Sequence, residues 1–128
     1  MKKIQNIFIV DDSPTVIASL KLILKKYNYN VQSFTDPTVA LEEMETTQPE
    51  LILLDYEMPQ MTGATFMIKV SERLLNNHNW RVFLVSSHVF TEEEKFSMKT
   101  LGITNIFSKP LNQEQFDLAI AEIESQLA

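Results

Sequence analysis

Five polar residues stand where apolar runs of the chain stop, and together they could carry phosphoryl chemistry. Asp11 and Asp12 follow Ile7 to Val10, Asp55 follows Leu51 to Leu54, Ser86 closes the run ending at Val85, and Lys109 follows Phe107 by two residues. Three carboxylates brought together repel one another, and one stays protonated unless a cation relieves the conflict. Aspartate oxygens suit a hard divalent ion, and a site with few protein ligands fits Mg2+ better than Ca2+. The chain has no Cys and only His78 and His88, a poor set for zinc. Beside such an ion, Asp55 is a competent nucleophile toward phosphorus, since carboxylates form acyl phosphates and the transfer needs chiefly positioning and charge neutralisation. Lys109 supplies a positive charge, and the Ser86 hydroxyl a hydrogen bond, for the oxygens of the transferred group.

These residues act together only if the elements that carry them share an edge. Apolar, β-branched runs alternate with amphipathic stretches along the whole chain, the pattern of a parallel sheet covered by helices on both faces. Strands are expected near Ile4 to Val10, Val31 to Phe34, Leu51 to Leu54, Arg81 to Val85 and Asn105 to Phe107. The run Leu51 to Leu54 is apolar at every position, which requires burial on both faces and marks the central strand.

The first helix is expected over Pro14 to Tyr27, with Ser13 as N-cap and Val16, Ile17, Leu20, Ile23, Leu24 and Tyr27 on its inner face. Asp36 and Pro37 open a second helix carrying Val39, Ala40, Leu41 and Met44, and a third is expected over Ala64 to Leu75. The fourth begins at Thr91, uses Phe96 and Leu101 as its sparse apolar positions, and stops at Gly102. The last places Phe116, Ala119, Ile120, Ile123 and Leu127 on one side. Every polar residue singled out then lies at the C-terminal end of a strand, the edge where doubly wound sheets bind ligands. An aspartate pair after a strand is by itself an ordinary turn and helix cap. The coincidence of all these features at one edge favours the functional reading.

The whole-chain properties narrow the class further. At 128 residues one domain spanning 1–128 is expected, with enough length for a substantial core. Eleven Lys and Arg against seventeen Asp and Glu give a formal charge of -6, so neither nucleic acid nor an anionic membrane surface is an expected partner. No export signal is read after Met1, no apolar run approaches the roughly 20 residues of a membrane span, and the absence of Cys fits a cytoplasmic protein.

In combination these motifs resemble the receiver domain of bacterial response regulators, the CheY-like family of two-component signalling, over essentially the whole chain. Val10, Asp11, Asp12 and Ser13 are similar to the family's acidic pair, and Asp55 through Gly63 to its phosphoacceptor loop. Leu84 to Ser87 and the step Lys109-Pro110 complete the likeness.

The resemblance implies an α/β, doubly wound (βα)5 flavodoxin-like sandwich with a five-stranded parallel sheet in the order 2-1-3-4-5. It implies Mg2+ on Asp12, Asp55 and the Glu57 backbone carbonyl, with Asp11 acting through water, a phosphoryl group on Asp55, and Ser86 and Lys109 moving onto that group. It also implies a cis Lys109-Pro110 bond. The expected donor is a phosphohistidine on a sensor histidine kinase or a histidine phosphotransfer protein. An unknown downstream protein would meet the face of fourth helix, fifth strand and fifth helix, about Thr91 to Leu127, on a monomer or a phosphorylation-dependent dimer.

Two positions depart from the family pattern. Ile106 stands where a switch aromatic is usual, with Phe107 next to it and facing the other way. The segment from Ser86 to Gly102 is about one residue longer than is common in the family, and its His88 is read as a solvated loop residue. The alternative activity is a metal-dependent phosphatase or phosphotransferase with an aspartyl nucleophile, in which Glu57 would act as acid and base. A flavodoxin-like nucleotide or flavin module is disfavoured, because Gly63 and Gly102 are the only glycines and neither follows the first strand.

Overall fold

A computed structural model describes residues 3–73 and 80–127, the last without its side chain. Five strands and five helices alternate: β1 (Asn6–Val10), α1 (Pro14–Leu24), β2 (Asn30–Phe34), α2 (Pro37–Glu43), β3 (Leu51–Leu54), α3 (Gly63–Arg73), β4 (Arg81–Ser86), α4 (Glu92–Thr100), β5 (Asn105–Ser108) and α5 (Gln113–Leu127). All strand pairs are parallel, and the sheet order is β2-β1-β3-β4-β5, the expected doubly wound arrangement. The chain steps outward from β1 to β2, returns to β3, and then continues in the opposite direction. Because β-α-β crossovers keep one hand, that reversal sends α1 and α5 to one face of the sheet and α2, α3 and α4 to the other.

Alternation along the strands fills both cores. Ile7, Ile9, Leu51, Leu53, Phe83 and Val85 are buried with Leu20 and Ile23 of α1 and Phe116 and Ile120 of α5. Their neighbours Phe8, Val10, Ile52, Leu54, Val82 and Leu84 are buried with Leu41 of α2, Phe66 and Val70 of α3 and Met98 of α4. The unbroken apolar run of β3 is explained by this: each successive side chain belongs to a different core.

Local signals set the helix ends. Ser13 Oγ accepts the Val16 N–H and Pro14 is the first helical residue of α1, while Asp36 caps Thr38 ahead of α2. At the end of α4, the Gly102 N–H bonds Lys99 O at 3.0 Å and the Ile103 N–H bonds Met98 O at 3.1 Å. This double bond pattern needs the left-handed φ of 106° that Gly102 adopts.

Several boundaries and faces differ from the sequence expectations. β1 begins at Asn6, although Ile4 is still buried, and β5 continues to Ser108. α1 ends at Leu24, and the Tyr27 N–H bonds Leu24 O in a tighter turn that leaves the Tyr27 ring against α5. Val39 is exposed rather than packed. In α4 the sparse apolar pattern misled: Met98 is the buried residue, whereas Phe96 points outward and is 73% exposed. Leu74, Leu75 and His78 lie outside the described residues, as does the Leu127 side chain.

A cluster of side chains ties α1 to α5. The Asp117 carboxylate accepts hydrogen bonds from the Tyr27 hydroxyl, from Lys26 Nζ at 2.8 Å and from Gln113 Nε2 at 3.0 Å. These donors hold the Asp117 carboxyl well below its ordinary range, at a pKa of about 2. Tyr29 stacks on Tyr27 with ring centroids 5.0 Å apart, and its hydroxyl donates to Glu124.

At the opposite end of the sheet from the strand C-termini, Glu50 is buried. Its Oε1 accepts the Gln5 N–H at 2.9 Å and the Asn6 N–H at 2.7 Å, covering the unpaired start of β1.

Candidate functional site

The strand order brings the ends of β1, β3, β4 and β5 to one edge, and the polar residues meet there. Asp11 follows β1, and its N–H bonds Phe34 O at 3.1 Å; Asp55 follows β3, and its N–H bonds Val10 O at 2.9 Å. Both carboxylates are thereby fixed by the sheet's own ladder, one residue past its last register pair. Asp11 and Asp55 are buried and Asp12 stands nearer the solvent, and one oxygen from each of the three lies within 4.8 Å of the others. Asp11 Oδ1 also accepts the Ser13 N–H at 2.9 Å, which sets the turn into α1.

Lys109 enters this group from the end of β5, where its N–H bonds Ser86 O at 3.0 Å and its peptide bond to Pro110 is cis. Its Nζ lies 3.0 Å from Asp55 Oδ1 and 3.1 Å from Asp11 Oδ2. The pocket so formed holds three carboxylates against one ammonium.

Burial pushes the Asp55 carboxyl up to about 6, the Lys109 hydrogen bond pulls against that shift, and the Asp11 charge adds to it. Burial disfavours the Lys109 ammonium as well, but the hydrogen bonds and charges of Asp55 and Asp11 outweigh it and hold its pKa above the ordinary value. The surplus negative charge and the all-oxygen donor set suit a hard divalent cation. Asp55 Oδ1 already receives Lys109 and, at 2.9 Å, the Tyr56 N–H, which leaves Oδ2 for an incoming electrophile or cation.

The loop after Asp55 is shaped by a close approach. Gly63 N–H bonds Tyr56 O at 2.6 Å, and a Cβ on Gly63 would stand 2.9 Å from Asp55 O and 3.2 Å from Tyr56 Cα. Glycine is needed here for space, not for an unusual φ.

Ser86 and Glu57 lie at the edge without joining the charged group. Ser86 is buried at the end of β4, and its Oγ accepts the His88 N–H at 3.0 Å, so no hydrogen bond of the described residues ties it to Asp55. The Glu57 side chain is exposed, with Oε1 4.0 Å from His88 Nδ1, and it does not line the carboxylate cluster as an acid and base for ester hydrolysis would.

His88 is half-buried rather than free in solvent. Its ring packs 4.5 Å from Phe90 and 5.4 Å from Tyr56, centroid to centroid, and Nε2 is buried 3.5 Å from Glu94 Oε2 without a hydrogen bond. Sequence alone carried no signal for this, since a histidine two residues past a strand is usually exposed. Ile106 packs with the α3 and α4 core and Phe107 with the α1 and α5 core, so the two face opposite ways as alternation requires. Among the described residues, no helix is long and apolar enough to cross a membrane.

Comparison with known proteins agrees with this geometry. Residues 7–121 match the family described as the response regulator receiver domain. A protein-glutamate methylesterase/protein-glutamine glutaminase of Cereibacter sphaeroides is 32% identical over 120 residues, covering 91% of this chain and 31% of that protein. Histidine kinase P4 of Formosa agariphila is 30% identical over 122 residues, covering 95% of this chain and 9% of the kinase. The chain thus spans a third or less of the length of these two curated relatives. The signal receiver domain of a LuxO repressor protein from Vibrio parahaemolyticus superposes with a TM-score of 0.84 at 18% identity, over 98% of this chain and 92% of that one, a likeness of fold.

Proposed function

The chain belongs to the response regulator receiver domain family, the phosphoacceptor module of two-component signalling, and from that premise we propose that its acceptor is Asp55. The observation that carries the assignment is the Lys109 ammonium held between Asp55 and Asp11 at the C-terminal edge of β3, within a cluster of three carboxylates. The phosphatase alternative loses its ground with the family match and with the outward Glu57 side chain.

In this reading residues 1–128 work as one receiver unit, a signalling switch whose chemistry is confined to its own phosphorylation and dephosphorylation. Asp12, Asp55 and the Glu57 carbonyl would hold Mg2+, with Asp11 acting through a water. When bound, the ion supplies charge neutralisation for the phosphoryl oxygens and removes the repulsion among the carboxylates.

Asp55 Oδ2 attacks the phosphorus of a phosphohistidine on a histidine kinase or phosphotransfer partner. The new O–P bond forms as the N–P bond breaks, and the imidazole leaves with that electron pair. Lys109 orients Asp55 beforehand through Oδ1 and afterwards neutralises a phosphoryl oxygen. The Ser86 hydroxyl turns from His88 to donate to another. The added charge, close to two units at neutral pH, then biases the β4 to α4 loop and the partner surface of α4, β5 and α5. Direct nucleic acid or membrane contact has no part in this, and the work is placed in the cytoplasm.

Intact-mass measurement after treatment with acetyl phosphate and Mg2+ tests the assignment. One added phosphoryl group is expected, absent with a chelator and absent from Asp55→Asn. Equal labelling of Asp55→Asn would overturn it.

A further inference from the structure

The loop between β4 and α4 joins the carboxylate pocket to the start of a helix through a short series of side chains. Ser86 is fixed at its main chain by the Lys109 N–H on its carbonyl, while its Oγ accepts the His88 N–H in a turn closed by the hydroxyl. His88 in turn packs on Tyr56, the residue next to Asp55, and on Phe90. Tyr56 meets Phe90 edge-on at 5.0 Å, so the three rings form one cluster between the two loops.

The far end of this series is the cap of α4. Glu94 Oε1 accepts the Thr91 N–H at 2.8 Å and Thr91 Oγ1 accepts the Glu94 N–H at 3.1 Å, a reciprocal cap. The other oxygen of the same carboxylate, Oε2, faces His88 Nε2 across 3.5 Å. That nitrogen is buried, with Glu94 Oε2 within ion-pair reach but short of good hydrogen-bond geometry, so a small displacement would close the bond. α4 is also lightly held, with Met98 its one buried side chain.

We propose that His88 is the positioning residue through which occupancy of Asp55 reaches α4, by exchanging the Ser86 turn for a hydrogen bond from its Nε2 to Glu94. The inference rests on Asp55 being the acceptor. A hydroxyl can accept and donate at once, so the exchange requires that the rotation carrying Oγ toward a group on Asp55 take it out of reach of the His88 N–H. As Ser86 rotates, the turn over residues 86–88 opens, the imidazole slides along Tyr56 and Phe90, and Nε2–H closes on Glu94 Oε2. Since that carboxylate also makes the cap, the first turn of α4 moves with it. The exposed Phe96 lies on that helix, and its presentation changes in consequence.

Beryllium trifluoride with Mg2+, a stable mimic of an aspartyl phosphoryl group, provides the test by amide and imidazole 15N NMR. In the parent protein, binding shifts amides beside Asp55, amides of Glu92 to Phe96, and the His88 Nε2 signal toward a hydrogen-bonded donor. His88→Phe keeps the ring packing but has no donor. It should still show the shifts beside Asp55 and lose those in α4, while His88→Gln, whose amide can reach Glu94, regains them.

α4 shifts that persist in His88→Phe with beryllium trifluoride bound overturn the inference and leave Asp55 as acceptor untouched. Failure of the parent to bind the mimic overturns the acceptor assignment, and this inference falls with it. If His88→Phe does not fold, His88→Leu, which likewise lacks a donor, takes its place: loss of the α4 response with the shifts beside Asp55 kept upholds the path, and retention refutes it.

Discussion

Replacing Gly63 with alanine puts one methyl group against the backbone that carries Asp55. The added Cβ would stand 2.9 Å from Asp55 O, 3.2 Å from Tyr56 Cα and 3.3 Å from Leu84 Cδ1. Only the leucine methyl can yield cheaply; the other two are main chain, bound into the sheet by Asp55 N–H to Val10 O. Overpacking of this kind costs about 1 to 3 kcal/mol. Alanine is a better helix former than glycine by up to about 1 kcal/mol, but that gain is smaller at the first residue of a helix than in its interior. The clash therefore prevails, by roughly 1 to 2 kcal/mol. For a chain of this length, about 3 to 5 °C is lost per kcal/mol, so a fall of about 3 to 10 °C in melting temperature is expected. The relief movement must displace the Asp55 carbonyl or the Tyr56 backbone, so initial labelling by acetyl phosphate, if Asp55 is the acceptor as proposed, should slow as well. Scanning calorimetry and intact-mass time courses measure the two effects. A Gly63→Ala protein that melts at or above the parent temperature and labels at the parent rate would refute the close-approach argument.

Other substitutions probe separate parts of the structure. Lys109→Met removes the one cation bonded to Asp55 among the described residues, which should raise the Asp55 pKa above its value of about 6 in metal-free protein, as followed by carboxyl 13C NMR titration; an unchanged or lower midpoint would contradict the ion-pair geometry. Glu50→Ala leaves the Gln5 and Asn6 N–H groups without their acceptor and should cost about 1 to 3 kcal/mol in urea unfolding, whereas a loss below about 0.5 kcal/mol would deny Glu50 that role. Asp117 has a folded pKa of about 2, below its unfolded value near 4, so its stabilisation is complete above roughly pH 4 and fades as pH falls through 2. The stability gap between the parent and Asp117→Asn should accordingly be present at pH 6 and close in strong acid, and a gap independent of pH would exclude the carboxylate as its source.

Much of this was legible before any coordinates. Leu51 to Leu54 announced a strand covered on both faces, and the placing of Asp11, Asp55 and Lys109 directly after strands announced that they would meet, since a parallel sheet puts all those ends on one edge. The illegible features share a different origin. Glu50 before an apolar run looks like an ordinary polar flank, and only the parallel pairing of β1 with β3 turns its side chain toward the unpaired N–H groups of Gln5 and Asn6. The Asp117 cluster joins residues about ninety positions apart. In α4, two apolar residues, Phe96 and Met98, lie too close in sequence to share a face, and the choice of Met98 is made by the Gly102 turn, which folds Ile103 back beside it. The packing of His88 on Tyr56 and Phe90 depends on a loop conformation that periodicity does not encode.

The bonds gathered on Asp117 have a mechanical consequence. With the Gln113 side-chain bond to Ile23 O, they moor the last helix to the end of the first across one face of the sheet, so any rearrangement that tried to lift α5 would first have to part the Lys26 ion pair, the Tyr27 hydrogen bond and that bond to Ile23. Among the described residues, the opposite face has no comparable brace at α4. A disturbance starting at the carboxylate pocket therefore meets a stiff wall on one side and a yielding one on the other, and its direction of travel is decided before any partner arrives.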